Sequence, residues 1–266
     1  MHRIKAKKSF GQHFLRQPEV AENIVAYVGD IDPGMGVLEV GPGMGIMTQY
    51  LSRKYSNYKC CELEDDMISY LQKHFPELQG KIIQSDILRL PFDKVFDGEQ
   101  FILIGNFPYN ISSQIVFHML KYHEYVPRMI GMFQKEMAER IIASPGNKDF
   151  GVISILTQAY YQGKKLMELG PNDFDPPPRV KSMVIELEKR ADGGIDVDYK
   201  EFRKVVKTSF LMRRKMLRNN LKSIVENKDL IADKFFDHRP EELSVNQFVF
   251  LTKYLNNPEQ YNLNNI

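Results

Sequence analysis

The sequence predicts an α/β protein with a doubly wound parallel sheet, followed by a small all-helical domain. Between residues 37 and 133, short apolar runs alternate with stretches whose apolar residues recur at helical spacing. Strands and helices that alternate in this way form a parallel sheet with right-handed crossovers. Two glycines interrupt the pattern at residues 191–195, and the chain beyond is helical and basic. We therefore predict an α/β domain at residues 1–190 and a helical domain at residues 191–266.

The elements follow in order along the chain. Strands are predicted at residues 37–41, 58–63, 81–84, 101–105 and 129–133, with helices between them at 47–54, 66–75 and 112–122. A helix at 150–161 precedes two closing strands, 164–169 and 182–188, which we expect at the sheet edge as an antiparallel pair. The helical domain is predicted to contain helices at 199–210, 213–224, 230–236 and 245–255.

The composition is that of an ordinary globular chain, and 266 residues suffice for one α/β domain plus a smaller one. No apolar run approaches the about 20 residues of a membrane span, and the basic N-terminus lacks the apolar core of a signal peptide. The adjacent cysteines Cys60 and Cys61 are poor disulfide partners, so we expect reduced thiols in a cytoplasmic protein. We expect a monomer without a metal site.

Positive charge is concentrated in two stretches that contain no acid, residues 1–18 and 202–222. The second stretch includes Arg213, Arg214, Lys215 and Arg218. Such stretches are typical of a surface that binds a polyanion, although a solvated helix face has the same composition.

A glycine-rich turn follows the first predicted strand, with Gly41, Gly43 and Gly45 at alternate positions. Open α/β sheets bind ligands at this edge, where glycine lets a ligand approach the backbone. The spacing is not that of dinucleotide-binding loops, and no Lys-Ser/Thr pair follows to bind a triphosphate. A plain strand–helix turn remains the alternative for this loop alone.

Acidic residues end the next two strands. Glu62 lies about 20 residues beyond the glycines, where an acid commonly binds ribose hydroxyls. Asp86 ends the third strand, where it can accept a hydrogen bond from an adenine amino group. A glycine loop and two acids at successive strand ends suit a nucleoside that carries a cationic sulfonium, which describes S-adenosylmethionine.

The segment Asn106-Phe107-Pro108-Tyr109 ends the fourth strand and carries the predicted chemistry. The N6 nitrogen of adenine is a weak nucleophile because its lone pair is delocalised into the ring. The Asn106 side-chain oxygen and the Phe107 backbone carbonyl can bind both amino hydrogens, which favours a pyramidal nitrogen. Pro108 stiffens the turn, and Tyr109 can stack on the base, which contributes about 1–3 kcal/mol. The segment therefore predicts adenine N6 methylation, with an ordinary turn as the alternative.

A proline-rich loop at residues 172–178 separates the two closing strands and contains Phe174. A target base must leave its stack to reach an active-site pocket. Phe174 would then stack on the base opposite Tyr109, or it is a buried anchor of the loop.

With these motifs in order, the chain resembles the small-subunit ribosomal RNA adenine dimethyltransferases of the KsgA type. Segments 7–15, 41–45, 106–112, 174–181 and 209–221, together with Glu62 and Asp86, carry the resemblance over essentially the whole chain. It implies a Rossmann-like S-adenosylmethionine-dependent methyltransferase domain with a small C-terminal all-helical domain. The implied substrate is a pair of adjacent adenosines in the hairpin loop near the 3′ end of 16S rRNA, methylated during late assembly of the small subunit.

The resemblance also implies roles for particular residues. Cofactor contacts fall on His13, Leu15, Gly41, Gly43, Gly45, Glu62, Asp86 and Asn106. Contacts to the target adenine fall on Asn106, Phe107, Tyr109 and Phe174, and contacts to RNA on Arg213, Arg214, Lys215 and Arg218. Two residues depart from the family pattern: His13 replaces a more common Asn, and Phe107 replaces a smaller aliphatic residue. The larger Phe107 side chain could alter how the site accepts N6-methyladenine. The second methyl transfer to each adenine therefore depends on where that side chain lies.

Three alternatives remain at this point. A 23S rRNA adenine methylase shares the fold and the site, but the helical domain with residues 210–221 favours 16S rRNA. A DNA adenine methylase would need a larger insertion to read groove edges. A catalytically idle assembly factor would need neither the glycine loop nor residues 106–109.

Overall fold

A computed structural model describes residues 13–263. The basic residues predicted to contact a polyanion before residue 13, and the first part of the segment 7–15, lie outside the described residues. No helix within residues 13–263 is long and apolar enough to cross a membrane. The chain divides into two compact units, one formed by residues up to Ala138 with Gly163–Lys189, the other by Glu139–Gln162 with Arg190–Ile266.

The first unit is built on a seven-stranded sheet. Its strands are β2 (Gly36–Val40), β3 (Tyr58–Glu62), β4 (Ile82–Gln84), β5 (Phe101–Asn106), β6 (Arg128–Gln134), β7 (Tyr161–Leu169) and β9 (Ser182–Lys189). The spatial order is β4-β3-β2-β5-β6-β9-β7. Strands β2 to β6 pair in parallel, and β9 runs antiparallel to β6. The mostly parallel sheet confirms the predicted fold class.

Helices connect the parallel strands. They are α2 (Thr48–Lys54), α3 (Asp65–His74) and α4 (Ser112–Lys121), close to the predicted bounds. Helix α3 has Asp65 and Asp66 in its first turn and Lys73 in its last, an arrangement that the helix dipole favours. Because β2 and β5 are neighbours while their connections leave in opposite directions, the chain reverses its winding between them, and ligands bind at such a point.

Two helices and a two-stranded ribbon of the described chain were not predicted. Helix α1 (Pro18–Ala26) precedes the sheet, and α5 (Lys135–Ile141) follows β6. A separate two-stranded ribbon joins β1 (Phe14–Leu15) to β8 (Phe174–Asp175), with Leu15 paired to Phe174. A strand pair of two residues has no periodicity to detect in sequence.

The second unit is helical, with α6 (Val152–Gln158), α7 (Tyr199–Ser209), α8 (Leu217–Leu221) and α9 (Val245–Asn256). The Asp198 side chain caps α7 by accepting from the Glu201 amide at 2.9 Å. Ser244 and Gln247 form a reciprocal capping box at the start of α9. The predicted helix at 230–236 is instead two short 3₁₀ turns, Lys228–Ile231 and Lys234–Asp237.

The predicted helix at 213–224 is also wrong in its extent, since residues 211–216 form a turn before α8. Buried Asn220 holds this turn, because its side-chain oxygen accepts from the Met212 amide at 2.8 Å and its nitrogen donates to the Met212 carbonyl at 3.3 Å. Side-chain hydrogen bonds of this kind compete with helix formation.

The division between the units falls at Lys189, beside the predicted hinge, but the second unit also contains Glu139–Gln162. The sequence alone would assign that segment to the first domain, because it lies between two strands of the sheet. Helix α6 packs on α7, which explains its place in the second unit.

Candidate active site

A cavity of about 310 Å³ lies at the carboxyl ends of the parallel strands. Its size falls at the lower end of the range of small-molecule sites. The predicted residues that line it are His13, Gly41, Gly43, Glu62, Asp86, Asn106, Phe107, Pro108 and Tyr109. These residues come from five separate segments of one unit, which the alternation of strands and helices brings to a common edge.

Two glycines of the glycine-rich loop, Gly43 and Gly45, have different roles. Gly43 has a φ of +55°, and a Cβ atom there would lie 3.0 Å from the Phe14 ring, so glycine keeps the pocket wall open. Gly45 does not line the cavity, and a Cβ atom there would come within 2.5 Å of the Phe75 ring. Gly45 is therefore needed because the loop packs closely on α3 and on Phe75, which directly follows that helix. It is not needed for contact with a ligand.

Glu62 is buried beside the cavity and has one oxygen already in use. Its Oε1 accepts from the backbone amides of Leu63 at 2.8 Å and Glu64 at 3.0 Å. Burial raises the pKa of Glu62 above its ordinary value. These bonds, with a further one from the Gly43 backbone, orient the carboxyl group, whose remaining lone pairs can accept from ribose hydroxyls.

Asp86 is oriented in a similar way at the end of β4. Its Oδ1 accepts from the Leu88 amide at 3.0 Å, and its Oδ2 lies 3.7 Å from Arg89 Nε. Arg89 is largely exposed, so this is a loose ion pair. Asp86 can therefore still accept a hydrogen bond from an adenine amino group.

Asn106 ends β5, and its side-chain nitrogen donates to the His13 carbonyl at 2.8 Å. This bond uses the donor end of the amide and leaves Oδ1 as the acceptor of the side chain. This geometry permits the acceptor role of Asn106, which stays a prediction. The role of His13 in this bond belongs to its backbone, so the replacement of Asn by His at position 13 does not alter it.

Tyr109 is held from two sides. Its hydroxyl forms a 2.6 Å hydrogen bond with Ser182 Oγ, and burial raises its pKa. The His13 ring stacks on the Tyr109 ring, with centroids 5.3 Å apart and an angle of 28° between the planes. The His13 ring also makes a 2.7 Å hydrogen bond through Nδ1 with the Pro176 carbonyl. One face of Tyr109 is therefore covered by His13, and a target base would use the other.

The Phe107 side chain is fully buried and packs edge-to-face on Phe133, with centroids 5.3 Å apart. Two glycines make room for it: a Cβ atom at Gly105 or Gly131 would come within 2.8 Å or 2.5 Å of its ring. The aromatic ring therefore packs into the core beside the cavity that residue 107 lines.

Two predicted contact residues lie elsewhere. Phe174 is 1% exposed and belongs to the hydrophobic core with Leu15, so it is the buried anchor of its loop and offers no ring face to a base. The side chain of Leu15 is buried in the same core and does not line the cavity. Their pairing across β1 and β8 explains both positions, since apolar side chains at paired positions bury each other.

Several residues at the site were not predicted. Phe14, Cys61, Leu63 and Ile87 line the cavity with apolar surface suited to an adenine ring. Burial raises the pKa of the Cys61 thiol to about 12, which makes it an inert neighbour rather than a nucleophile. Ser182 supports Tyr109 from a strand 73 residues away, a relationship without any local sequence signal.

Glu39 lies on β2 just before the glycine loop and is completely buried. Its Oε2 accepts from Thr48 Oγ1 at 2.8 Å and from the Tyr58 hydroxyl at 2.5 Å. Burial raises the pKa of Glu39 to about 7. The Thr48 bond ties the end of β2 to the start of α2 across the glycine loop, and the Tyr58 bond ties β2 to β3.

In the second unit, the predicted RNA-contacting residues differ in their surroundings. Arg214 and Lys215 are exposed in the turn at 211–216, and Arg213 is also exposed, with a long 3.4 Å bond to the Phe150 carbonyl. Arg218 instead pairs with Asp237 at 2.5 Å and donates to the Asp233 carbonyl at 3.1 Å. Arg218 thus has a structural role within its unit.

Solved structures of methyltransferases share this fold. A dimethyladenosine transferase from Plasmodium falciparum superposes with a TM-score of 0.78 over 93% of this chain and 98% of its own, at 22% identity. The 23S rRNA methyltransferase ErmE gives a TM-score of 0.65 over 91% and 99%, at 20% identity. The first unit therefore has a Rossmann-like fold of the class that these methyltransferases share, with the cavity at the carboxyl edge of its sheet.

The sequence narrows this class. A profile of the family "Ribosomal RNA adenine dimethylase" matches residues 3–257, and the chain belongs to that family. It is 46% identical over 250 residues to the ribosomal RNA small subunit methyltransferase A of Phocaeicola vulgatus, which covers 94% of this chain and 89% of that relative. The family confirms the predicted class of enzyme and its cofactor, S-adenosylmethionine.

Proposed function

We propose that this chain methylates the N6 amino groups of two adjacent adenosines in the 3′-terminal hairpin loop of 16S rRNA, twice each, while the small subunit assembles. One observation carries the proposal: the Asn106 nitrogen is committed to the His13 carbonyl, which presents Oδ1 as an acceptor beside the Phe107 backbone. The 46% identity to a small-subunit methyltransferase supports 16S rRNA over 23S rRNA or DNA.

The residues at the cavity fit the cofactor. Gly43 leaves space that a side chain would fill, and the oriented Glu62 carboxyl group can accept from the ribose hydroxyls. Glu62 and Asp86 give the cavity an acidic lining, which suits a ligand with a positive charge. S-adenosylmethionine supplies an electrophilic methyl group when it is bound.

The chain itself contributes position and hydrogen-bond acceptors. Asn106 Oδ1 and the Phe107 carbonyl bind the two amino hydrogens, which directs the nitrogen lone pair toward the methyl donor. The face of the Tyr109 ring that His13 does not cover holds the base by stacking. No strong base is needed, because the amino proton becomes acidic once the nitrogen has accepted the methyl group. Rate enhancement therefore comes mainly from alignment.

The buried Phe107 ring supports the second transfer. Since the side chain packs on Phe133 and over Gly131, only the backbone of residue 107 faces the base. A base that carries one methyl group then meets the same acceptors, one of which has no remaining amino hydrogen to bind.

The proposal also includes a cytoplasmic location, where bacterial small subunits assemble, and a monomeric protein.

The test is to incubate the protein with labelled S-adenosylmethionine and small subunits that lack N6 methylation. Nuclease digestion and mass spectrometry then locate the label. We expect N6,N6-dimethyladenosine at two neighbouring positions of the 3′-terminal loop. Label in 23S rRNA or in added DNA would overturn the substrate, and binding without any label would overturn the catalytic role.

A further inference from the structure

Three lysines of the first unit share one carboxylate. Glu168, near the end of β7, lies 3.0 Å from Lys135 Nζ, 3.0 Å from Lys165 Nζ and 3.1 Å from Lys181 Nζ. We call Lys135, Lys165 and Lys181 the lysine cluster. Lys165 and Lys181 are 50% and 61% exposed, so their ammonium groups are open to solvent.

Lys165 and Lys181 alone bring two positive charges to the single negative charge of Glu168. One carboxylate balances a single ammonium group, yet Glu168 is shared by three. Hydrogen bonds from Lys135, Lys165 and Lys181 lower the pKa of Glu168 to about 2, so the carboxylate stays charged and keeps the lysines together at neutral pH. Ammonium groups gathered in this way are arranged in advance for an anion that bridges them.

The cluster lies next to the predicted adenine site. Lys181 directly precedes Ser182, whose hydroxyl bonds to Tyr109. The Lys135 amide donates to the Lys181 carbonyl at 2.9 Å, so both lysines lie at the carboxyl edge of the sheet, where β6 ends. All these residues belong to the same compact unit.

We infer that the lysine cluster binds backbone phosphates of the RNA strand beside the target adenosine. The inference rests on the proposed function, and it names the part of the site that holds the strand while the base is turned into the pocket. A base that leaves its stack needs its backbone held on the protein, and phosphate contacts provide that position without reading sequence. Lysine ammonium groups are common phosphate ligands.

The test compares two double variants of the full-length protein. Lys165→Gln with Lys181→Gln removes two exposed charges of the cluster and retains Lys135. The control, Lys94→Gln with Lys121→Gln, removes two exposed charges from the opposite edge of the same unit. Lys121 ends α4 before β6 begins, and Lys94 precedes Val95, whose carbonyl accepts from Lys59 near the start of β3.

Affinity for unmethylated small-subunit RNA is measured at several salt concentrations, with S-adenosylmethionine affinity measured in parallel. For the cluster variant, we expect roughly tenfold weaker RNA binding and a salt slope reduced by about 1 to 2, because about one counterion fewer is released for each phosphate that the protein no longer neutralises. Its affinity for S-adenosylmethionine should equal that of the unsubstituted protein. A Lys165→Arg, Lys181→Arg variant, which retains both charges, should restore the slope.

Equal RNA affinity and slope for the cluster and control variants would overturn the inference. The inference would also be overturned if the arginine variant bound RNA as weakly as the glutamine variant. The loss of RNA affinity would then not be caused by the loss of positive charge. These outcomes are separate from the proposed function, which depends on methyl transfer by the unsubstituted protein. If that protein binds RNA through the cluster but transfers no methyl group, the phosphate site stands and the proposed function fails.

Discussion

The side-chain nitrogen of Asn106 donates a hydrogen bond to the backbone carbonyl of His13, with 2.8 Å between the two atoms. The two residues are 93 positions apart, so the bond connects the start of the described chain with the end of the central strand β5. This bond fixes the orientation of the Asn106 amide, so that its oxygen Oδ1 is the atom left to accept a hydrogen bond from the substrate. Without it, the side chain could turn its nitrogen toward an amino group that needs an oxygen.

We therefore expect Asn106→Ala to lower the rate of methyl transfer by at least about 100-fold, since it removes an oriented hydrogen-bond partner of the reacting group. Asn106→Asp should lose activity as well, because a carboxylate has no hydrogen to donate to the His13 carbonyl. RNA affinity should stay within about twofold in both variants, because neither change removes a positive charge that binds phosphate. Full activity of Asn106→Ala in a labelled-methyl assay would contradict the proposed chemistry.

The packing of Phe107 over Gly131 predicts a coupling between two positions. Gly131→Ala should lower the free energy of unfolding by about 1–3 kcal/mol, because its Cβ atom would come within 2.5 Å of both the Phe107 ring and the Phe133 ring. Adding Phe107→Leu should recover part of the loss. Urea denaturation of both single variants and the double variant measures the coupling, and costs that simply add within about 0.5 kcal/mol would show that the ring does not fill that space.

Much of the fold could be predicted because buried parallel strands are continuous apolar runs, which the interiors of β5 and β6 illustrate. Glu62, Asp86 and Asn106 could be placed at one site for the same reason, since parallel strands end at a common edge. Their precise ligand contacts stay predictions. The fate of side chains that depend on distant partners could not be predicted: Phe174 is buried by its pairing with Leu15, and only the structure shows it.

The helical part was harder to predict because its apolar periodicity is interrupted by local hydrogen bonds. Asn220 ends one expected helix early by binding the Met212 backbone. The lysine cluster illustrates the same limit at the surface, because only Lys165 lies within three residues of Glu168 along the chain. The distribution of charge along the sequence could not predict that Lys135 and Lys181 lie beside Glu168, because the fold brings them there from other segments.

Glu39 gives the stability of the protein a dependence on pH. Its folded-state pKa of about 7 exceeds the ordinary value of 4.5, so the unfolded chain binds fewer protons between these values. Its contribution to stability is therefore greatest below about pH 4.5, falls as pH rises toward 7, and levels off above that. The full change is on the order of 3 kcal/mol.

Glu39→Gln removes this ionisation while retaining an acceptor for Thr48 and Tyr58. The difference in unfolding free energy between the parent protein and the variant should thus shift in favour of the variant between about pH 5 and pH 8. Other titrating groups are common to both proteins and cancel in that difference. A difference that stays constant across this range in urea titrations would show that Glu39 does not titrate there.

The basic turn of the second unit should contribute to RNA affinity through Arg214 and Lys215. Replacing both with Gln should reduce the salt slope of RNA binding by about 0.7–0.9 for each phosphate that the variant no longer neutralises. Arg218→Gln should instead lower the melting temperature, because Arg218 pairs with Asp237 and with the Asp233 carbonyl. The opposite pattern, in which Arg218→Gln flattens the slope at an unchanged melting temperature, would assign the phosphate contact to Arg218.

The second unit is built from two separated stretches of chain, and α6 from the first stretch packs on α7 from the second. Helix α6 buries Ile153, Ile155 and Leu156, so a gene fragment that begins at residue 190 would encode α7 without the helix that covers it. A fragment that ends at residue 189 would expose the same apolar side chains. The helical unit is therefore not a module that recombination can add or remove at a single junction, and it has to be inherited together with the catalytic unit.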